Sequence, residues 1–186
     1  MKELLAFLKE NKEAFATLAA TIGGAFALWR WMIDQRWRRV QYAQTLIKEF
    51  LEKENTKKAF EILDTEGTVD LVEDGRTTTI DITDEFLIGA LSTFDQKANN
   101  SDEEVVVRRI CDDFFDDLSI FQSHIEAKLI RLNDISPYLE YWIRALSGRG
   151  KIRSREFARQ AAMFIDYFGY KRLLVLASNL NSPFPT

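Results

Sequence analysis

Histidine and cysteine are almost missing from this chain of 186 residues, which has one of each, His124 and Cys111. A lone cysteine excludes an intramolecular disulfide framework and fits a reducing compartment. Its expected role is that of a small buried hydrophobe. One histidine leaves too few partners for a metal centre of His and Cys, or for most His-centred general-base arrangements. The chain also lacks a GxxxxGK[ST] phosphate-binding loop, a GxSxG nucleophile turn, internal repeats and low-complexity linkers. These gaps lead us to expect no enzyme activity and no cofactor. Neither sign of charge predominates: 25 basic against 29 acidic residues give a formal net charge of −4, so the molecule has no global attraction for nucleic acid. Nucleic-acid or nucleotide binding would need a local patch and is disfavoured. The 46% hydrophobic and 29% charged residues exclude a disordered chain and suit one folded domain with an appendage.

Charged residues are missing where it matters most, between 14 and 29, which read AFATLAATIGGAFALW. Arg30 interrupts the run, and Trp31, Met32 and Ile33 extend it to twenty residues. As a helix, that run spans about 30 Å, the hydrocarbon thickness of a bilayer. Arg30 lies close enough to the end for its stem to carry the charge to the headgroups. Trp29, Trp31 and Trp37 gather at the same end, as interfacial aromatics do. A buried core helix would carry polar positions every few residues. Ala25-Phe26-Ala27 fits a signal-cleavage pattern, but Lys2, Lys9 and Lys12 are balanced by Glu3, Glu10 and Glu13, which is no positive leader. We therefore expect an uncleaved transmembrane helix over 14–33. Arg30, Arg36, Arg38 and Arg39 favour a cytoplasmic C-terminal side. Residues 1–13, with Leu4, Leu5, Phe7 and Leu8, read as a short amphipathic lead lying on the outer surface. Ala16, Ala20 and Gly24 form one small-residue stripe, and Ala19, Gly23 and Ala27 another. Such stripes allow close helix association in lipid, so a homo-oligomer is expected.

The remainder reads as a helical cytoplasmic domain, 34–182, with a tail at 183–186. Val40, Ala43, Leu46, Ile47, Phe50 and Leu51 continue the first helix to about 51. A second helix is expected over 56–63, capped by Asn55. Alternation around Asp74-Gly75 predicts one β-hairpin over 68–82. Asp84 is a cap for a helix through Phe94, and Ser101 with Glu104 makes a capping box for a long helix toward Arg131. The apolar stripe of that helix is read as Val105, Ile110, Phe114, Leu118, Phe121, Ile125 and Leu129. Ser136-Pro137 predicts a helix start running to Leu146. Ser154 caps another ending near Gly169, and the last covers 170–179. The fold class expected is mainly α: a transmembrane helix continuing into a helical bundle with one hairpin.

Charge is segregated. Residues 84–147 hold thirteen acidic against six basic side chains, whereas 148–172 hold seven basic against two acidic. Asp112, Asp113, Asp116 and Asp117 repeat at i, i+4, a mildly unfavourable spacing that suggests a solvated face or an acidic docking face. Arg149, Lys151, Arg153 and Arg155 make the matching basic loop, either a solvated loop or a candidate for docking or for anions: lipid headgroups, RNA or a nucleotide phosphate. The Arg-x4–6-His motif of helical ribonucleases is absent, since Arg108 and Arg109 precede His124 by sixteen and fifteen positions. His124 is thus expected to be structural.

The N-terminal hydrophobic helix ending in Arg and Trp is followed by YAQTLIKEFLEKENTKKAFEILD and later by FFDDLSIFQSHIEAKLIRLNDISPYLEYWIRAL and FIDYFGYKRLLVLA. In plan this resembles the bacterial single-pass membrane accessory proteins of type VI-B CRISPR systems. The resemblance implies an inner-membrane, self-associating accessory or effector protein, membrane-perturbing or pore-forming in antiphage defence. It carries over no functional residue. The alternative reading is a membrane-tethered adaptor whose cytoplasmic domain docks a partner protein or senses a nucleotide.

Overall fold

The computed structural model describes residues 11–73 and 76–185, and the chain divides into two compact units, one through Gln41 and one from Tyr42 onward. Seven helices and one hairpin are found among the described residues: α1 (Lys12–Glu52), α2 (Glu54–Asp64), β1 (Gly67–Glu73), β2 (Arg76–Ile82), α3 (Asp84–Ala90), α4 (Asp102–Glu126), α5 (Leu132–Leu146), α6 (Arg155–Tyr167) and α7 (Lys171–Asn179). The mainly helical class with one hairpin is therefore correct. The expected lead residues Leu4, Leu5, Phe7 and Leu8, and the Asp74-Gly75 turn, lie outside the described residues.

In the first unit, α1 is long and apolar enough to cross a membrane, and none of its apolar stretch is buried. The second compact unit begins at Tyr42, and Ala43, Ile47 and Phe50 are the first side chains to bury.

The second unit is built around α4, which packs against α2, α3 and α7. Val107, Ile110, Cys111, Phe114, Phe115, Leu118 and Phe121 recur at three and four residues and are all buried. The predicted stripe shared its middle with this one but not its ends. Val105 is 49% exposed and Leu129 is 48% exposed. The helix stops at Glu126 because Lys128 takes a left-handed backbone, φ 60°, and Leu129 N–H donates to His124 O. Aromatic rings fill the centre. Phe50 stands edge-on to Phe121 at 5.2 Å, and Phe60 stacks on Trp142 at 3.7 Å. Arg108 sits 5.0–5.1 Å from the rings of Phe94, Phe164 and Phe168.

The capping box of α4 is present: Glu104 N–H donates to Ser101 Oγ at 3.2 Å, and Ser101 N–H to the Glu104 carboxylate at 2.9 Å. Other expected starts moved. The α2 helix opens at Glu54 with Lys53 as its cap, since Asn55 turns its amide to Asp113 instead. Thr83, not Asp84, caps α3, which ends at Ala90 rather than Phe94. The α5 helix begins five residues before Pro137, because Asp134 accepts Arg131 N–H at 2.9 Å and Ile135 is fully buried. That burial outweighs the backbone bond a mid-helix proline forfeits. In the hairpin, Val69 pairs with Ile80 on the buried face, while Thr79 donates to Asp70 at 2.6 Å on the open one. Within the expected tail, Phe184 is half-buried against the core.

Candidate functional site

The helix that ends before the basic loop sets its shape. Gly148 follows the last turn of α5 with φ +66°, its N–H donates to Ala145 O, and Arg149 N–H donates to Arg144 O at 2.9 Å. This pairing is the left-handed glycine cap that terminates helices. No larger residue fits: a Cβ on Gly148 would lie 2.8 Å from Ser154 O. Gly150 N–H bonds the same Arg144 carbonyl at 3.0 Å, so the loop folds tightly back on α5.

Arg153 fixes the other end. It is 3% exposed and donates to Ile62 O at 2.6 Å, to Leu63 O at 3.3 Å and to Thr65 O. Its guanidinium also meets Asp84 Oδ1 at 3.0 Å, while Ser154 N–H donates to Asp84 Oδ2 at 2.7 Å. The α2 helix ends in carbonyls without intrahelical partners, and a cation there satisfies them and complements the helix dipole. Burial by itself raises the Asp84 pKa, but the bonds from Ser154 and Arg153 prevail and hold it below the usual carboxylate range.

Between these anchors lies a cleft of about 660 Å³, formed by the end of α2, one face of α5 and residues 149–153. Leu63, Pro137, Ala145 and Ile152 give it apolar walls. Arg144, Arg149 and Lys151 stand at it as exposed cations, without ion-pair partners among the described residues. Glu140 and Asp64 are the carboxylates, and Tyr141 donates its hydroxyl to Asp64. That hydrogen bond to a carboxylate pushes the Tyr141 phenol above its ordinary value.

The structure sorts the predicted residues. Arg149 and Lys151 border the cleft. Arg153 does not serve as a free anion ligand, because the α2 carbonyls and Asp84 occupy its donors. Arg155 is exposed at the start of α6 and is not part of the cleft lining. Arg144 and Tyr141 were missed. Their signal was the i, i+3 and i, i+4 spacing of Tyr141 and Glu140 with Arg144 on α5, one turn before the basic loop.

The acidic face is largely engaged within the domain. Asp117 pairs with Lys53 at 2.5 Å, Asp113 accepts from Asn55 at 2.5 Å, and Asp112 accepts from Tyr170 at 3.2 Å. Asp116 remains exposed, beside an open hollow of about 440 Å³ shared with Lys53 and Asn55. Burial raises the Asp112 pKa, against the lowering influence of Tyr170 and Arg108. The Tyr170 phenol is pushed up to about 12 by burial and by Asp112. His124 is half-buried, its Nδ1 3.5 Å from the Tyr42 hydroxyl.

In the first unit, Ala16, Ala19, Ala20, Gly23, Gly24 and Ala27 are all exposed, and nothing lies within 4 Å of a Cβ placed on Gly23 or Gly24. Trp29, Trp31 and Trp37 are exposed, as is Arg30. No protein-family model, curated protein or solved structure matches this chain.

Proposed function

We propose that this chain is a single-pass membrane protein whose helical domain lies in the cytoplasm of a bacterium and works as a tethered binding module rather than an enzyme. The observation that carries the reading is the exposure of α1. Leu18, Ile22, Phe26, Leu28, Trp29, Trp31 and Met32 are each more than half exposed, and they spread over more than half of the helix circumference, with exposed Ala16, Ala19, Gly23 and Ala27 on the rest. Water disfavours a continuous apolar surface of this kind, and a bilayer removes the penalty. The two hydroxyls in the run support it as well. Thr17 donates to Glu13 O at 2.8 Å and Thr21 to Thr17 O at 2.9 Å, so neither is left without an acceptor in hydrocarbon.

Alkaline carbonate extraction tests the span. The full chain should stay in the membrane pellet, and a chain lacking residues 14–33 should appear in the supernatant. Extraction of the full chain by carbonate would sink the proposal. External protease on right-side-out cells should leave the domain intact, and its digestion there would reverse the orientation.

The open small-residue faces favour a second reading, in which the span self-associates and the chain is a membrane-perturbing effector in antiphage defence. Gly23 and Gly24 leave room for another helix backbone to approach. Mass measurement in detergent should then give a discrete oligomer, reduced to monomer by Gly23→Leu with Gly24→Leu. A monomeric native chain would remove this reading and leave the tethered module.

A further inference from the structure

We propose that the cleft between α2, α5 and the 149–153 loop binds a phosphate monoester carrying an apolar or aromatic body. The inference rests on the cleft alone and holds whether or not α1 spans a membrane.

Size comes first. A cavity of about 660 Å³ lies in the range that takes a small organic ligand, and its apolar walls suit the body of one. Charge then narrows the class. Arg144, Arg149 and Lys151 have no ion-pair partner among the described residues, and Asp64 is already engaged by Tyr141. Glu140 is the other carboxylate and Arg153 is matched by Asp84, so the three exposed cations leave an excess of one positive charge in the cleft. A phosphate monoester near neutral pH carries about two negative charges and three acceptor oxygens, which three cationic side chains can share. A carboxylate offers two acceptor oxygens to the three cations and matches them less well in number.

Preorganisation is the third argument. Both ends of the loop that carries Arg149 and Lys151 are fixed before any ligand arrives. One end is held by the glycine cap on α5, and the other by the Arg153 clamp on α2 and Asp84. Binding therefore leaves the loop backbone in place and orders only the exposed side chains, which lowers its cost. Tyr141 is 56% exposed beside the cations and offers a ring face to a base or another flat body.

Two sources supply this chemistry: a soluble nucleoside monophosphate and a lipid with a phosphate monoester headgroup. The test is calorimetric titration of the full chain in non-ionic detergent with AMP, inorganic phosphate and short-chain phosphatidic acid. Adenosine and short-chain phosphatidylcholine serve as controls that lack the monoester. We expect saturable binding of AMP, of phosphatidic acid or of both, the pattern naming the source, with inorganic phosphate clearly weaker. Arg149→Gln with Lys151→Gln should weaken binding at least about tenfold, as loss of two charge-assisted contacts requires. Arg155→Gln, an exposed cation absent from the cleft lining, should leave it unchanged. Circular dichroism checks that each variant keeps its fold; all three side chains are exposed and none holds the core. Absence of saturable binding by both esters overturns the proposal. So does undiminished binding in the double variant, or an equal loss in Arg155→Gln. Inorganic phosphate binding as tightly as AMP and phosphatidic acid would also overturn it, because the apolar walls would then contribute nothing.

Discussion

Replacing Arg153 by Met removes the guanidinium and keeps most of the stem. The change strips the Ile62, Leu63 and Thr65 carbonyls of their donor and leaves Asp84 without its ion pair. A buried acceptor that loses its partner costs about 1–3 kcal/mol, and breaking a buried charge pair costs about 3–5 kcal/mol. The two estimates describe overlapping losses, since one guanidinium serves all four oxygens, so the expected destabilisation is about 3–5 kcal/mol. For a domain of this size that lowers the melting temperature by on the order of 10 °C. Thermal and denaturant unfolding of the full chain in detergent, followed by circular dichroism, measures it. Asp84→Asn retains the three carbonyl contacts and should cost only about 1–2 kcal/mol. On the Arg153→Met background the same change should add little, because the pair is already broken. A loss below about 1 kcal/mol for Arg153→Met, or additive losses in the double variant, would refute the idea that one buried cation joins α2, α3 and the basic loop.

Gly148→Ala should destabilise by about 1–3 kcal/mol in the same melts, combining a positive φ with a Cβ pressed on Ser154 O. Gly169→Ala carries the φ strain alone, with nothing within 4 Å, and should cost less, about 1 kcal/mol. Acid should unfold the domain through Asp84 and Glu104. At both residues burial raises the pKa, but hydrogen bonds, from Ser154 and Arg153 to Asp84 and from Lys97 and Ser101 to Glu104, prevail and lower it. A depressed folded pKa gives stability that is complete above the unfolded value, near 4, and is lost as pH falls through the folded one. The melting temperature should therefore drop below about pH 4, and Asp84→Asn should flatten that drop. Asp112 has the opposite sign: its raised folded pKa makes its contribution fade as pH rises, so Asp112→Asn should match or exceed the native stability at neutral pH. Cys111 is buried, and burial pushes its thiol up to about 12, so it should resist a thiol reagent at pH near 8 until the protein unfolds.

Several elements follow from local chemistry alone. The apolar run into α1, the capping box at Ser101 and Glu104, the alternating hairpin and the Ser154 cap all depend on residues within a few positions of one another. Their energies are settled before distant parts of the chain meet. The same holds for the middle of the α4 stripe, where period alone separates buried from exposed. Tertiary structure decided the rest. Pro137 looked like a helix start, and the burial of Ile135 carried the helix five residues further back. Asn55 and Asp84 looked like caps, but long-range partners, Asp113 and Arg153, claimed their side chains. The four loop cations looked equivalent. One became the buried clamp, two edged a cleft, and one stayed outside it, because carbonyls at the end of α2, about ninety residues away in sequence, required a donor. Cavities and unpaired charges arise where distant elements meet. The cleft therefore formed only when α5 brought Tyr141 and Arg144 beside a loop whose own residues do not reveal their neighbours.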